Sequence, residues 1–307
     1  MSGAAALPPG VVVLERGWLS SNNVVVVGKE SAALVDSGYV AHAEQTLALV
    51  ERARASRPLC SLVNTHLHSD HCGGNSALQQ RYPGCRTLIP PGHAWAVEAW
   101  DAVALTYVPT GQSCPRFRHD DVLRPGSSVL LGDLAWEVHA APGHDPHSVV
   151  LFEPESRTLL SADALWENGF GVVFPELEGE SAFDDVGRTL DLIAALRPRV
   201  VVPGHGSVFA DLDGALARAR SRLAAYRADP RRHVVHAAKV LLKFKLLEWQ
   251  QVSREACLQW AEGTPYFAMV HSRLQPDVEL AAWIEGLLAD LARSGALREE
   301  GGVIENT

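Results

Sequence analysis

Short apolar runs separated by polar turns fill the first two thirds of the chain and predict a mixed α/β fold. The alternation of apolar and polar positions typical of half-buried strands marks some runs, and continuous apolar runs mark buried strands. The predicted strands are VVVLER (11–16), NNVVVVG (22–28), AALVDSG (32–38), CSLVNT (60–65), a pair within 128–140 that turns at Gly132-Asp133, SVVLFEP (148–154), RTLLSAD (157–163) and RVVVPGHG (199–206). Helical periodicity predicts helices at 41–55, 75–82, 183–196 and 212–227.

The pattern changes after Asp229-Pro230, where helical periodicity takes over. Three helices are predicted, at 233–250, 253–263 and 277–295, and ALREEGGVIE (296–305) predicts a closing β-hairpin. Three helices with a terminal hairpin indicate a winged-helix-like module. We therefore divide the chain into a catalytic domain at 1–228 and a small, mostly helical domain at 229–307.

Composition places the chain among ordinary globular proteins. Of its 307 residues 47% are hydrophobic and 21% charged, and the formal net charge is −9. This acidic balance disfavours a general nucleic-acid binder, which needs basic surface for phosphate contacts. No apolar run approaches the roughly 20 residues that span a bilayer, so no membrane partner is expected.

The cysteines and the amino terminus bear on the compartment. The five cysteines are odd in number and form no CxxC pair, so a disulfide framework is not expected. The stretch 1–17 has no basic residue before its short apolar run, which makes it a poor signal peptide. We predict a cytoplasmic protein that acts on a small molecule, with homodimerisation left open.

A basic run at 231–245 holds five basic residues and no acidic ones. The common interpretation of such a run is a helix face exposed to solvent. An edge that binds anions or nucleic acid is the alternative.

Three histidines and an aspartate crowd into six residues of the segment LVNTHLHSDHCGG (62–74): His66, His68, Asp70 and His71. In an extended loop residues i and i+2 point the same way, so His66 and His68 can share a metal ion. Asp70 and His71 can serve a second ion. Imidazoles with a carboxylate suit Zn, Fe or Mn better than Ca or Mg.

Three later segments supply further ligands. His144 follows Pro-Gly in AAPGHDPHS, Asp163 ends the apolar run of LLSADALW, and His205 follows Pro-Gly in VVPGHGS. Each polar side chain follows an apolar run, which places it where loops leave a sheet. The repetition predicts one metal centre built from several strand ends.

This ordered set, His66-x-His68-x-Asp70-His71, then His144, Asp163 and His205, resembles the metallo-β-lactamase superfamily over about residues 10–210, and LVDSG (34–38) resembles its early DSG element. The resemblance implies a four-layer αββα sandwich. It implies one metal ion on His66, His68 and His144, a second on Asp70, His71 and His205, and Asp163 as a bridge. A bridging Asp resembles the glyoxalase II, lactonase and nuclease branches more than antibiotic-hydrolysing β-lactamases.

The resemblance also implies a chemistry. Two divalent ions, Zn by preference with Fe or Mn as alternatives, would share a water whose pKa they lower towards about 7, and the bridging hydroxide would attack a carbonyl or phosphoryl centre. Asp70 would bind metal and orient the nucleophile or relay a proton. Asp36 would orient a ligand histidine.

Candidate substrate residues lie on the loops around these ligands. They are His147, Trp166, Asn168, Phe170 and Tyr266. The other histidines, His236 among them, are expected to be structural or exposed.

The leading functional hypothesis is a dinuclear metal-dependent hydrolase of a small ester, thioester or lactone. A nuclease or phosphodiesterase of the same fold is the first alternative, motivated by the basic run. An iron-dependent redox enzyme similar to sulfur dioxygenases is the second. A winged-helix regulator that carries a metallohydrolase remnant is the third, and the intact ligand set opposes it.

Overall fold

The computed structural model describes residues 6–274 and 278–307. Its first sheet has six strands in chain order, two antiparallel pairings followed by three parallel ones. The strands are β1 (Val11–Leu14), β2 (Asn23–Val27), β3 (Ala32–Val35), β4 (Leu59–Val63), β5 (Arg86–Ile89) and β6 (Asp121–Val122).

The second sheet has five strands in the reverse of chain order, antiparallel except for its last pair, which is parallel. These strands are β7 (Ser128–Leu131), β8 (Leu134–Ala140), β9 (Val149–Glu153), β10 (Thr158–Ala162) and β11 (Val200–Pro203).

Helices cover the outer faces of both sheets. In this part of the chain they are α1 (Ala43–Ala53), α2 (Ser69–Cys72), α3 (Asn75–Arg81), α4 (Ala94–Ala99), α5 (Phe174–Glu178), α6 (Phe183–Leu196) and α7 (Leu212–Ala228), with a 3-10 turn at Val40–His42.

The hydrophobic cores show four layers. Alternate residues of each strand point to opposite faces of its sheet, so each sheet can bury both faces. Between the sheets, Val26 and Val35 lie in one core with Trp136 and Leu151. The outer face of the first sheet packs on α1 and α3, and that of the second sheet on α6 and α7. The predicted αββα sandwich is confirmed.

The carboxy-terminal part has its own core, which also takes in Val172 and Leu177 from the sandwich side. Its helices are α8 (Pro230–Trp249), α9 (Arg254–Gly263), α10 (Pro265–Leu274) and α11 (Leu280–Arg293), and its sheet is ordered β12 (Gln251–Ser253), β14 (Val303–Asn306) and β13 (Leu297–Glu300).

The prediction of this region was incomplete. The described residues hold four helices where three were predicted, because PYFAMVHSRL also forms a helix, and the predicted hairpin gains a third strand at 251–253. The predicted helix at 277–295 started on residue 277, which lies outside the described residues. The winged-helix likeness and the domain division at 228/229 stay predictions. Among the described residues, no helix combines the length and apolar character needed to cross a membrane.

Candidate metal centre

The first ligand group joins three imidazoles from two distant segments. His66 and His68 lie on the loop that follows β4, and His144 follows β8. His144 Nε2 lies 2.8 Å from His68 Nδ1 and 3.3 Å from His66 Nε2. Since His144 Nδ1 is 2.5 Å from the carbonyl oxygen of Val172, it donates there and leaves the Nε2 lone pair facing the other two rings.

The second ligand group combines Asp70, His71 and His205, whose ligand atoms lie within 4.8 Å of one another. Asp70 and His71 lie on the single helical turn of α2, so the segment is helical from residue 69 and not extended as predicted. His205 follows β11, and its Nε2 is 3.1 Å from Asp70 Oδ2. Successive residues on a helix point about 100° apart, which lets both face the centre.

Asp163 lies between the two groups, at the end of β10. Its Oδ2 is 3.4 Å from His144 Nε2 and 3.8 Å from His205 Nε2, and its Oδ1 is 3.5 Å from His71 Nε2. Gly204 makes this approach possible, because a Cβ at that position would lie 2.2 Å from Asp163 Oδ1. One carboxylate therefore reaches both ligand groups.

Asp36 holds His71 from behind. Its Oδ2 accepts from His71 Nδ1 at 2.8 Å and from the Thr65 hydroxyl at 2.8 Å, and its Oδ1 accepts from the Thr65 backbone N–H at 2.9 Å. Its φ of 56° is in the left-handed region, where aspartate is more often found than most residues. When the ring is neutral, this contact keeps the proton on Nδ1 and leaves the Nε2 lone pair directed to the centre.

Asp145 places a buried carboxylate near His68 and was missed in the sequence. It is buried, and its Oδ2 lies 3.9 Å from His68 Nε2, the ring nitrogen opposite the one that faces His144. Its other oxygen accepts from the backbone N–H of His147 at 2.7 Å. Its position directly after His144 in GHDPHS is the sequence feature that could have identified it as a neighbour of the metal centre.

The donor set fits divalent cations. Among the residues that the structure describes, the buried His71 Nε2 has no hydrogen-bond partner, although three carboxylates surround the ring. Burial alone would lower the pKa of His71, but Asp163, Asp36 and Asp70 outweigh it and raise that pKa well above its ordinary value. The surroundings therefore favour positive charge at this point, which a metal ion supplies.

The first group is held in the form that binds metal. Burial, followed by the neighbouring histidines, lowers the pKa of His66 well below its ordinary value and that of His68 to about 4. Both rings are neutral near pH 7 and present lone pairs. Burial raises the pKa of Asp163, but His205 and His71 outweigh it and keep the carboxyl ionised.

The centre opens into a cavity of about 420 Å³, a size ordinary for small-molecule sites. His68, Asp70, His144, Asp163 and His205 line its floor.

Two of the five predicted substrate residues, Trp166 and Asn168, line this cavity. The other three do not. Phe170 is buried in the core against α7, Tyr266 is buried beside Phe174, and His147 packs on His93. Packing between elements took these three side chains away from the cavity, and their contact with substrate stays a prediction.

The structure adds cavity residues from remote segments. Trp18 stacks on His205 with ring centroids 5.3 Å apart, and Trp166 meets Trp18 edge-on. Phe174 lies edge-on to His68 at 4.8 Å. His236, expected to be structural or exposed, also lines the cavity. Further lining residues include Thr106, Thr110, Gln112, Val172, Arg222, Val240, Leu241 and Phe244. No local motif marks them.

The basic run 231–245 is largely occupied by contacts within the carboxy-terminal part. Lys239 Nζ lies 2.6 Å from Asp290, and Lys245 Nζ lies 2.7 Å from Glu248. Lys243 Nζ donates to the Ala296 carbonyl at 2.6 Å. Carboxylates thus lie beside two of the five basic side chains, which reduces the positive charge available to a phosphate backbone.

Comparison with known proteins adds the family. The profile of the metallo-beta-lactamase superfamily matches residues 16–205. A hydroxyacylglutathione hydrolase of Anaeromyxobacter dehalogenans (strain 2CP-C) is 35% identical over 201 residues, which cover 62% of this chain and 66% of that protein. The match spans under two fifths of the length of each of the next three curated relatives.

Solved structures share the fold over almost the whole chain. A beta-lactamase domain protein from Burkholderia ambifaria has a TM-score of 0.60 at 21% identity and covers 99% of this chain and 95% of its own. A metallo-beta-lactamase family protein from Thermus thermophilus has a TM-score of 0.57 at 21% identity, with 98% and 100% covered. At this identity the likeness concerns the fold alone.

Proposed function

The chain belongs to the metallo-beta-lactamase superfamily, and from that premise we propose that it is a dinuclear metal-dependent hydrolase of small esters, thioesters or lactones. The observation that carries the proposal is the pair of ligand groups that share Asp163 at the floor of one cavity. The relative from Anaeromyxobacter supports a thioester, since its name states hydroxyacylglutathione as the substrate of that protein.

We assign one metal ion to His66, His68 and His144 and the other to Asp70, His71 and His205, with Asp163 between them. When bound, such ions supply a water of lowered pKa as nucleophile and polarise the carbonyl under attack. Zn is the favoured identity, and Fe or Mn suit the same nitrogen and oxygen donors.

The protein's own groups would position and shield the reaction. Asp36 holds the His71 ring by a hydrogen bond to its far nitrogen, and Asp145 adds a negative charge near the far nitrogen of His68. Burial raises the pKa of Asp70, but His71 and His205 outweigh it and leave the pKa below its ordinary value. An ionised Asp70 can therefore accept a proton from the attacking water. The ring of Phe174 forms an apolar wall beside His68 of the first ligand group.

The nuclease alternative loses part of its support, because Lys239, Lys243 and Lys245 of the basic run are engaged in contacts within the chain. A cytoplasmic location and a small-molecule substrate remain parts of the proposal, and homodimerisation stays open.

Metal analysis paired with an activity panel tests the assignment. We expect about two equivalents of divalent metal per chain and hydrolysis within a panel of thioesters, lactones and aryl esters. Asp163→Ala should lose metal and activity together, whereas Asp191→Ala, a change in an exposed ion pair with Arg220, should keep both. Full metal content and activity in Asp163→Ala would contradict the shared ligand. No hydrolysis with Zn, Mn or Fe would contradict the hydrolase.

A further inference from the structure

Arg222 stands in the cavity wall and differs from the other arginines of its helix. Its Nη1 donates to the Phe170 carbonyl at 3.4 Å, and within the described residues no carboxylate lies within 4.0 Å of its guanidinium. The remaining arginines of α7 each have an aspartate partner: Arg218 with Asp211, Arg220 with Asp191 and Arg227 with Asp184. A half-buried guanidinium with one long hydrogen bond keeps most of its donors available.

Gly169 makes room for this guanidinium. A Cβ at position 169 would lie 2.5 Å from Arg222 Nη1 and 2.6 Å from its Cζ. The φ of 122° at Gly169 is one that a side chain would oppose, and the backbone N–H of Trp166 closes the turn on the Gly169 carbonyl at 2.7 Å. The loop is therefore shaped to seat the arginine at the cavity wall.

His236 of α8 lines the same cavity as Arg222. Burial and the charge of Arg222 lower its pKa to about 4, so the ring is neutral near pH 7. In the part of the chain that the structure describes, neither ring nitrogen makes a hydrogen bond to protein. A neutral imidazole has one N–H donor and one acceptor nitrogen, so His236 can add one donor to those of the neighbouring guanidinium.

The cavity joins these donors to the metal centre. The loop from Asp163 to Gly169 carries a metal-centre carboxylate at one end and the seat of Arg222 at the other. Val240 and Phe244 of α8 add apolar lining. Besides the metal-centre residues Asp70 and Asp163, the exposed Glu167 of the same loop also borders the cavity, and it is not within ion-pair distance of Arg222.

We propose that Arg222 and His236 form a binding subsite for a compact anionic group, a carboxylate or a phosphate, at the far end of the substrate. This inference rests on the proposed function and narrows it. The substrate is an ester, thioester or lactone whose scissile carbonyl reaches the metal centre, while its anionic end is held by donors on α7 and α8. Arg222 is thus a specificity-determining residue.

Matched substrates test the subsite in the metal-loaded enzyme. The S-phenyl monothioester of glutaric acid is compared with its terminal primary amide and with the S-phenyl thioester of 4-phosphonooxybutanoic acid. We expect kcat/KM for one of the anionic substrates to exceed that for the amide by about 10- to 100-fold, as for loss of a hydrogen bond to a charged group. The favoured anion distinguishes carboxylate from phosphate.

Variants distinguish binding at Arg222 from a general attraction of anions to positively charged side chains. Arg222→Gln should abolish the preference for the anionic substrate over the amide, mainly by raising KM for the anionic substrate. Arg222→Lys should retain part of this preference, and Gly169→Ala should weaken it by displacing the guanidinium. Arg220→Gln, on the same helix but paired with Asp191, should leave it unchanged. No preference in the wild type, or the full preference in Arg222→Gln, would overturn the subsite.

A direct binding measurement tests the subsite independently of the proposed hydrolase activity. If no substrate is hydrolysed, titration calorimetry with glutarate and with inorganic phosphate compares the wild type with Arg222→Gln. An affinity about tenfold weaker in the variant supports the subsite although the proposed activity fails. Equal affinities overturn the subsite.

Discussion

Replacing Asp36 by asparagine tests how the second ligand group is held. The carboxylate accepts three hydrogen bonds, one at Oδ1 and two at Oδ2, from Thr65 and His71. Asparagine has nearly the same shape but only one acceptor oxygen. In one orientation the asparagine oxygen accepts from the Thr65 backbone N–H, and the amide N–H groups face His71 Nδ1. The His71 ring must then carry its proton on Nε2, the atom that faces the metal centre.

The opposite orientation of the amide also carries a cost. The asparagine oxygen would then serve His71, and its NH₂ would face the backbone N–H of Thr65, donor against donor in a buried place. Outer partners of ligand histidines typically contribute 10- to 100-fold to metal affinity, about 1.4–2.8 kcal/mol. We expect this loss for the ion on Asp70, His71 and His205.

Competition with a chromophoric chelator measures both ions. The metal-free protein is titrated with Zn, and the wild type, Asp36→Asn and the surface variant Asp191→Asn are compared, with circular dichroism as a check on folding. In Asp36→Asn the affinity for one Zn ion should fall by about 10- to 100-fold, while the affinity for the other stays close to that of the wild type. Two unchanged equivalents in a folded Asp36→Asn would refute the role given to Asp36.

Three further predictions follow from separate parts of the molecule. Gly204→Ala should lower metal content, since its Cβ would lie 2.2 Å from Asp163 Oδ1, whereas Gly263→Ala, with nothing within 4 Å of its Cβ, should bind metal normally. Burial lowers the pKa of His233 from 6.5 to about 3, so stability is present above about pH 6.5 and falls as the unfolded chain takes up the proton at lower pH. His233→Gln should reduce the slope of unfolding free energy against pH in urea titrations between about pH 6 and 4 by up to about 1.4 kcal/mol per pH unit, and an unchanged slope would contradict this. Trp18→Ala removes a ring stacked on a ligand imidazole and should raise KM by about 2- to 10-fold with metal content unchanged; a fall in metal content would instead give this ring a structural role.

Much of the sandwich could be predicted because its elements carry local periodicity. The predicted helix 183–196 has the bounds of α6, and the strand pair around Gly132-Asp133 is present as predicted. The stretch 83–127, for which no element was predicted, holds β5, α4 and β6, which are all short. Short elements carry too few residues for a period to show.

The sequence by itself determined which residues are able to bind metal, because histidines and aspartates at strand ends are recognisable from residue type and spacing. Tertiary structure alone decided what surrounds them. His144 lies 76 residues from His68 and meets it at 2.8 Å, and Arg222 lies 53 residues beyond the glycine on which it rests. Such contacts depend on how the sheets and helices pack, which no local period encodes. The same packing buried Phe170 and Tyr266 and brought His236 into the cavity, so recognition of substrate is a property of the assembled fold.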